Sequence, residues 1–383
     1  MQLTPEFPPP LVGGGGYHVY NLVRELIRKG IDVEVFTLNI RNTVLFKKTR
    51  IETHFGKVKV FRIPASCIPK TIYPIAPKLI PLLMKRNPDI IHAHGYQFFT
   101  SDAASIVSRK KEIPLVLTLH GFPRGFNKLT HKAYFNLIGK KTLGTAQKII
   151  SVSSIVAQEF KEIGISKEKI VIVPNGININ EFKNMPQEKQ FKERLNIKQD
   201  EKIILTIGRL EKIKGFQYLI KALPSILKEV GPTKLIIAGP EFNYGTQLKK
   251  LAEEADVKDH VIFYGPINGK EKIEAFTAAD IIAIPSLYEG FSILLLEAMA
   301  AGKPLVATKT GAALEIIQDG KNGFLTKPGD TNDLSEKIIN LLNDHQLSSS
   351  MSQFSRNTAK IFDWTIIAKQ ILAIYDQCLK TVT

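Results

Sequence analysis

Short apolar runs alternate along this chain with stretches whose apolar residues recur every three to four positions, the spacing of a helix. Residues 281–284 are apolar at every position, which is typical of a parallel strand buried on both faces. Strands and helices that alternate in this way predict parallel sheets joined by right-handed crossovers. The predicted strands are residues 32–38, 57–64, 90–94, 114–120, 148–152, 169–173, 202–207, 234–238, 261–264, 281–284, 304–307 and 323–326.

A chain of 383 residues is too long for a single hydrophobic core, so we expect two domains. The turn-rich residues 174–178 lead towards a polar stretch over residues 184–200, and the boundary is expected between them. The sequence therefore predicts an α/β fold of two Rossmann-like domains, residues 1–182 and residues 183–362.

The segment that says most about chemistry follows the fully apolar strand. Pro285 ends that strand because proline cannot donate to the strand ladder, and the next helix is expected to begin near Ser292 and to stop at Gly302. Glu289 then lies in the loop at the carboxyl end of the strand, where open α/β sheets bind ligands. Glu297 lies more than one turn into the helix, so the two carboxylates would face different parts of one ligand.

The first amides of this helix carry the positive end of its dipole and lack helical partners, which makes them a binding site for phosphate. These amides, and a glycine that lets the backbone approach a ligand closely, belong to Gly290, Phe291, Ser292 and Ile293. A glutamate inside the helix, such as Glu297, can accept both hydroxyls of a ribose. The segment therefore suits a nucleotide sugar whose transferred sugar lies at Glu289. The alternative is a solvated pair of glutamates on an ordinary capped helix.

Residues 289–291 (Glu-Gly-Phe), 297–299 (Glu-Ala-Met) and 302–304 (Gly-Lys-Pro) together resemble the signature of retaining glycosyltransferases of family 4, the glycosyl transferases group 1. The resemblance spans nearly the whole chain. It implies the GT-B fold, in which two Rossmann-like domains face each other across a cleft. It also implies that the closing segment, residues 363–383, returns to pack on the first domain, with Trp364 as its anchor.

A second stretch with a family likeness lies after the predicted strand 202–207. There Arg209 and Lys214 resemble the pair that clamps the donor diphosphate, with Gly208 ending the strand and Gly215 opening the next helix. Two cations suit a departing nucleoside diphosphate, because negative charge accumulates on its oxygens in the transition state. The alternative is an exposed basic loop without a ligand.

Four further positions take predicted roles from the resemblance. Gly15 and Gly16 belong to a run of four glycines that resembles the family's loop near the donor phosphate, although such a run can also be a plain linker. The strand before this run is reduced to residues 1–4, so either it is unusually short or further residues precede it. His120 ends an apolar strand and is expected to contact the donor sugar; the alternative is a hydrogen-bonded structural histidine. Ile267 resembles the backbone position that lines the nucleobase pocket.

His92 and His94 alternate along a strand, so their side chains share one face, and two such histidines can ligate a metal. No third ligand accompanies them in the sequence, so we expect cleft lining or packing, and no metal cofactor.

Cys67 and Cys378 are far apart and make neither a metal site nor a disulfide framework, which indicates a reducing, cytoplasmic setting. No apolar run reaches the ~18 residues that a transmembrane helix needs.

Positive charge is concentrated in the first half of the chain. Residues 1–185 carry 27 Lys or Arg and 12 Asp or Glu, a net charge of +15 out of the total of +16. Such a surface attracts anionic lipid head groups, and residues 70–86 and 128–141 mix cations with bulky apolar side chains, as interfacial segments do. We therefore expect peripheral contact with the inner membrane leaflet and a lipid-linked or anionic acceptor; the alternative is a generally basic, solvated surface. Nucleic acid is not expected as a partner, because aromatic residues do not interleave the cations.

The predicted function is a retaining hexosyltransferase that moves a sugar from a UDP- or GDP-sugar to a hydroxyl of a lipid-linked or glycan acceptor, without a metal ion. Arg209 and Lys214 would neutralise the leaving diphosphate, a phosphate oxygen would take the acceptor proton, and Glu289 would stabilise positive charge on the sugar. Two alternatives stay open. One is a soluble synthase or phosphorylase of the same fold, acting on a sugar phosphate or glucan, and the other is a catalytically silent binding relative.

Overall fold

The computed structural model describes residues 1–9, 13–41, 44–45, 52–56, 58–67, 73–122 and 128–381. The chain divides into two compact units. The first unit comprises Met1–Gly176 and Trp364–Thr383, and the second comprises Ile177–Asp363. Each unit holds a parallel sheet with helices, as the sequence predicts.

The division between the units falls at Ile177, before the predicted boundary at residue 183. The backbone amide of Ile177 donates to the carbonyl of Phe362 over 2.8 Å, and Ile177 also pairs with Asp363. Phe182 is buried and packs edge-on against Phe276, with ring centroids 5.7 Å apart. These contacts attach the residues after Gly176 to the second unit, although their sequence resembles a linker.

The main sheet of the first unit has eight strands among the described residues, in the order β12-β11-β10-β9-β1-β2-β6-β5. All its neighbouring strands are parallel except the antiparallel pair of β5 and β6. Two short antiparallel pairs, β3 with β4 and β7 with β8, stand outside this sheet. The strands are β1 (Gln2–Thr4), β2 (Glu34–Leu38), β3 (Ile40–Arg41), β4 (Val44–Leu45), β5 (Glu52–Phe55), β6 (Val58–Ile63), β7 (Ser66–Cys67), β8 (Pro74–Ile75), β9 (Ile91–His94), β10 (Leu115–Leu119), β11 (Lys148–Ser151) and β12 (Ile170–Ile172).

The short first strand lies in the middle of this sheet. Its residue Leu3 is fully buried, and it pairs with Phe36 on one side and Ala93 on the other. Three residues are enough because both neighbouring strands supply ladder partners. The predicted strand 57–64 begins at Val58 in the structure, and residue 57 lies outside the described residues.

The helices of the first unit pack on its sheet, and the C-terminal helix (Trp364–Lys380) belongs to this unit. Its buried residues Trp364, Ile367 and Ile371 join a core with Val19 and Leu22 of the first helix. Burial of these apolar side chains holds the end of the chain on the first unit. The other helices are α1 (Gly14–Arg28), α2 (Leu79–Met84), α3 (Phe99–Lys111), α4 (Lys128–Tyr134), a π-helical turn (Phe135–Gly139), α5 (Lys140–Thr145), α6 (Ser154–Glu162) and a 3₁₀ turn (Lys167–Lys169).

The second unit contains one six-stranded parallel sheet in the order β15-β14-β13-β16-β17-β18. The chain builds outward from β13 to β15 and then returns beside β13 with β16, so the strand order reverses between β13 and β16. Ligands of open α/β sheets bind at the carboxyl ends of strands beside such a reversal. The strands are β13 (Lys202–Ile207), β14 (Thr233–Ala238), β15 (Val261–Gly265), β16 (Ile281–Ile284), β17 (Leu305–Thr308) and β18 (Phe324–Thr326).

The helices of the second unit cover this sheet. Apart from its first residue, α11 is buried along its length, and it ends at Gly302, whose φ of +64° is left-handed, as the sequence predicts. The helices are α7 (Lys189–Arg194), α8 (Phe216–Val230), α9 (Gly245–Glu254), α10 (Gly269–Ala278), α11 (Ile293–Ala301), α12 (Ala313–Ile316), α13 (Thr331–Asn343) and α14 (His345–Ala359), with 3₁₀ turns at Ile179–Phe182, Lys212–Lys214, Lys258–His260 and Lys360–Phe362. Within the described part of the chain, no helix is long and apolar enough to cross a membrane.

Candidate functional site

Three loops meet at the carboxyl edge of the second unit's sheet, after β13, β16 and β17. The amide of Leu287 donates to the carbonyl of Ile213 over 2.8 Å, which joins the first two loops. The hydroxyl of Thr308 donates to the carbonyl of Ser286, which joins the second loop to the end of β17. The loops therefore form one hydrogen-bonded platform beside the point where the strand order reverses.

Glycines allow the backbones of these loops to approach each other. A Cβ atom on Gly215, which has a φ of +74°, would lie 1.9 Å from the carbonyl oxygen of Pro285. A Cβ on Gly311 would lie 2.2 Å from the carbonyl oxygen of Glu289, and one on Gly239 would lie 1.8 Å from that of Gly208. Only glycine fits at these three positions. Gly239 and Gly311 escaped the sequence analysis because a close backbone approach leaves no mark on local sequence.

Glu289 and Lys214 are brought together at the centre of the platform. The ammonium of Lys214 donates to Oε1 of Glu289 over 2.5 Å, and the hydroxyl of Ser286 donates to the same oxygen over 3.0 Å. The two charged side chains are 22% and 15% exposed, so both reach solvent. The sequence predicts that Lys214 and Glu289 contact different parts of a ligand, and in the structure they contact each other directly.

Arg209 follows β13 and is 42% exposed. Its guanidinium pairs with Glu211 over 3.0 Å and lies over the ring of Phe242, 4.6 Å from the centroid. Arg209 and Lys214 were predicted to clamp a diphosphate together. In the structure each of the two cations is held by its own carboxylate, so an anion that binds both would have to replace Glu211 and Glu289.

Glu297 lies inside α11, as predicted, and the structure shows that it is buried. Burial raises the pKa of its carboxyl group above the usual range, and the ammonium of Lys272 opposes that shift. Lys272 lies on α10 and donates to Oε1 of Glu297. Sequence reasoning missed Lys272, because nothing local indicates which face of α10 meets α11.

Four more of the residues predicted to bind the donor lie at the start of α11. Ser292 is its N-cap residue and Ile293 its first helical residue, while Gly290 and Phe291 are buried immediately before it. The amide of Leu295 donates to the carbonyl of Ser292 over 3.2 Å, and the earlier amides of the helix are the ones that helix geometry leaves for a ligand. Ile267 lies half-buried in the loop between β15 and α10.

In the first unit, Gly15 and Gly16 lie in the first turn of α1, so the predicted loop conformation is wrong. Their predicted place near the donor phosphate stays a prediction. Gly13 is the N-cap residue, and its carbonyl accepts from the amide of Tyr17 over 3.1 Å. The helix forms despite its glycines because its following residues are strongly amphipathic and pack on the core. A Cβ on Gly15 would lie 3.7 Å from the ring of His120, so these two predicted residues are neighbours.

His120 belongs to a cluster of histidines that the sequence analysis did not foresee. One ring nitrogen from each of His18, His94 and His120 lies within 4.8 Å of the other two. His18 comes from α1, and only the fold brings it to the ends of β9 and β10. His92 does not join them, because its ring nitrogens bind the hydroxyls of Tyr375 and Thr118. Its role is packing, one of the two roles expected for it, while contact of His120 with a sugar stays a prediction.

The clustered imidazoles are neutral at physiological pH. Burial lowers the pKa of His18 to about 4, and a hydrogen bond to Asn175 opposes the shift only in part. Burial is also the main cause that lowers the pKa of His94 and of His120 well below the usual range, and neighbouring histidines lower it further. The rings can therefore act as acceptors or ligands.

Each half of the chain matches a known protein family. Residues 12–181 match the family described as Glycosyltransferase Family 4, and residues 187–358 match Glycosyl transferases group 1. The chain belongs to glycosyltransferase family 4. This glycosyltransferase has the GT-B fold, because solved structures that share its two Rossmann-like domains are glycosyltransferases of that fold.

Similar proteins cover this glycosyltransferase from end to end. It is 29% identical to an uncharacterised glycosyltransferase of Methanocaldococcus jannaschii, covering 97% of this chain and 96% of that protein. It is 27% identical to the N-acetyl-alpha-D-glucosaminyl L-malate synthase of Bacillus anthracis, covering 97% and 96%. It is 25% identical to a D-inositol 3-phosphate glycosyltransferase of Xylanimonas cellulosilytica, covering 96% and 92%. The crystal structure of Anabaena HepE in complex with UDP-glucose superposes with a TM-score of 0.79 at 23% identity, covering 98% of this chain and 99% of that chain.

Proposed function

We propose that this glycosyltransferase moves a sugar, with retention of anomeric configuration, from a nucleotide sugar to a hydroxyl of an anionic acceptor. The observation that carries the proposal is the platform of the second unit, where Lys214, Glu289 and the start of α11 meet at the carboxyl ends of parallel strands. Packing does not require a partly exposed ion pair at this position, whereas binding of a diphosphate beside a sugar does.

The donor diphosphate binds Arg209 and Lys214. Both side chains reach solvent, and each now pairs with one carboxylate. A diphosphate carries more negative charge than either carboxylate, so it exchanges for Glu211 and Glu289 as the partner of the two cations. The exchange leaves Glu289 free to accept a hydroxyl of the transferred sugar.

Transfer then follows a same-face displacement. The bond from the anomeric carbon to the phosphate oxygen breaks as the acceptor oxygen forms its bond to that carbon, and the acceptor proton passes to a phosphate oxygen. Arg209, Lys214 and the free amides of α11 stabilise the charge that develops on the diphosphate. Glu289 stabilises the positive charge of the sugar ring without forming a covalent bond to it.

The nucleoside is held by Glu297 and by the loop of Ile267. The carboxylate of Glu297 accepts the ribose hydroxyls, and backbone groups near Ile267 pair with the base. Both UDP- and GDP-sugars remain candidates for the donor. The HepE structure with UDP-glucose supports UDP-glucose as the first donor to test.

The acceptor is anionic because the excess positive charge lies within residues 1–185. The curated relatives named for D-inositol 3-phosphate and for L-malate act on small anionic acceptors that carry hydroxyl groups, which supports the same acceptor class here. A lipid-linked anionic acceptor is the second candidate. It is favoured by Leu137 and Ile138, which are 74% and 40% exposed beside exposed lysines. The first predicted interfacial segment is residues 70–86, and its residues 70–72 lie outside the described residues.

The test is a matrix of donors and acceptors. The protein is incubated with UDP- and GDP-sugars, each with inositol phosphate, malate or anionic lipid vesicles, and the release of nucleoside diphosphate and the glycosylated product are both measured. We expect a glycosylated product with one nucleotide sugar and an anionic acceptor, and the new linkage should keep the donor's anomeric configuration. Inversion of configuration, or transfer only to neutral acceptors, would overturn it. Transfer to lipid alone would decide for the second candidate.

A further inference from the structure

In the histidine cluster of the first unit, three buried imidazole nitrogens have no hydrogen-bond partner among the described residues. They are Nε2 of His18, Nδ1 of His94 and Nε2 of His120. His18 and His94 are almost fully buried, and ring nitrogens of all three residues lie within 4.8 Å of one another. A polar atom that is removed from water without a partner destabilises the fold. The cluster therefore has the composition of a site that a ligand completes.

Hydrogen bonds on the far side of the rings determine two of the tautomers. Nδ1 of His18 lies 2.7 Å from Oδ1 of Asn175, and Nε2 of His94 lies 2.9 Å from Oε1 of Gln2. An amide oxygen can only accept, so each of these ring nitrogens carries the proton and donates it. The opposite nitrogen of each ring then has a free lone pair, and these are two of the three unpartnered atoms.

This arrangement is the one that metal-binding histidines adopt. An acceptor behind the ring orients the imidazole and raises the basicity of the nitrogen in front. Asn175 and Gln2 supply such acceptors here. His92 lies beside His94, with ring centroids 4.1 Å apart, but both of its nitrogens are already bound and it cannot serve as a fourth ligand.

We propose that His18, His94 and His120 form a three-histidine site for a divalent transition-metal ion, with Zn²⁺ as the preferred ion. Neutral imidazole is a ligand that suits Zn²⁺, and three protein ligands leave the fourth tetrahedral position open. Bonds of about 2.0–2.1 Å place the nitrogens of a tetrahedral Zn²⁺ site about 3.4 Å apart, so nitrogens that now lie within 4.8 Å of one another need to approach by at most about 1.4 Å. Small rotations of the three side chains supply this movement.

Metal binding is tested on the metal-free full chain, prepared with a chelator that is then removed. Titration of Zn²⁺ against a competing chromophoric chelator is expected to show one equivalent bound per chain. Co²⁺ is expected to give the strong visible absorption of a four-coordinate site. His18→Ala and His94→Ala are each expected to abolish the one-equivalent step and the absorption, with circular dichroism used to check that each variant is folded. Less than stoichiometric binding, or a Co²⁺ spectrum of the hexa-aqua type, would overturn the proposal.

Two further variants keep the test decisive if the alanine variants fail to fold. Asn175→Asp places a carboxylate behind His18 and should raise Zn²⁺ affinity by about tenfold, which a merely structural asparagine would not do. His345→Gln removes an exposed histidine at the start of α14 in the second unit and should leave the affinity unchanged. Unchanged affinity in Asn175→Asp, or a loss in His345→Gln equal to that in His18→Ala, would contradict the assigned ligands.

Discussion

The ammonium of Lys214 lies 2.5 Å from Oε1 of Glu289, so the residue predicted to bind diphosphate and the residue predicted to bind the sugar are partners of each other. A pair that is 22% and 15% exposed is accessible to solvent and has little net stabilising energy. The contact holds the two side chains against each other, and in the proposed function a diphosphate competes with Glu289 for Lys214. Its two members should therefore respond differently to substitution.

Glu289→Gln is expected to lower turnover by about 100-fold, because the carboxylate stabilises charge that develops only in the transition state. Binding of UDP or GDP should be unchanged or tighter, since Lys214 loses the carboxylate that competes with the diphosphate. Calorimetry for the nucleotide and steady-state kinetics for the sugar donor measure the two effects separately. Equal losses in affinity and turnover would exclude this division of roles.

Lys214→Ala is expected to weaken nucleoside diphosphate binding by about 10- to 100-fold, the effect of losing a charged hydrogen bond. Lys212 lies in the same 3₁₀ turn and is exposed, so Lys212→Ala serves as the matched control for the loss of one positive charge. The control should change affinity less than twofold at physiological salt, because exposed charges are screened. Comparable losses in both variants would indicate a general electrostatic effect and no specific clamp.

The sheet of the second unit was predicted closely from the sequence. The strands β13 and β16 begin and end at the predicted residues, because strands buried on both faces are near-continuous apolar runs. The bounds of α11 were also predicted closely, because Gly302 and the proline that follows give a strong stop signal. The small antiparallel pairs of the first unit were missed, since strands of two residues carry no periodic pattern.

Contacts between distant residues could not be predicted in the same way. Lys272 contacts Glu297 from another helix, and His18 contacts His120 although the two residues are far apart in the sequence. Each of these residues has an ordinary local sequence, and its partner depends on the packing angle of a helix. The resemblance to family 4 suggested which side chains would face a donor, but not the protein groups that contact those side chains.

Gly215→Ala is expected to destabilise the second unit by about 2–5 kcal/mol. The left-handed φ alone costs a non-glycine residue about 1–2 kcal/mol, and the overlap with the carbonyl of Pro285 adds a packing penalty of about 1–3 kcal/mol. Gly320→Ala is the matched control, because Gly320 has a similar φ of +79° but its nearest neighbour is the ring of Phe324 at 3.8 Å. Urea unfolding of both variants measures the difference, which should exceed 1 kcal/mol. Equal destabilisation would show that strain alone matters.

Leu137 and Ile138 are expected to insert into anionic membranes if the acceptor is lipid-linked. Replacement of both by Ser removes apolar area that a bilayer would bury, and flotation with anionic vesicles should show about tenfold weaker binding. Ile172 is 46% exposed elsewhere in the same unit, and Ile172→Ser should leave vesicle binding unchanged. An equal effect of the two replacements, or no binding of the unaltered protein, would remove membrane contact from the proposed function.

Glu297→Gln is expected to weaken nucleotide binding and to change the stability of the protein by an amount that depends on pH. Burial raises the pKa of the Glu297 carboxyl group in the folded protein, despite the neighbouring Lys272. Between the unfolded and folded pKa values, the folded state binds more protons, so this residue's contribution to stability is present at low pH and is lost as pH rises. The melting temperature of the Gln variant, relative to the unaltered protein, should therefore rise from pH 4.5 to pH 7.5 by a few degrees.

Binding of UDP or GDP to the Glu297→Gln variant at pH 7.5 should weaken, because a neutral amide accepts ribose hydroxyls less strongly than a carboxylate does. A stability difference that does not vary with pH would show that burial does not perturb this carboxyl group, and unchanged nucleotide affinity would separate Glu297 from the ribose.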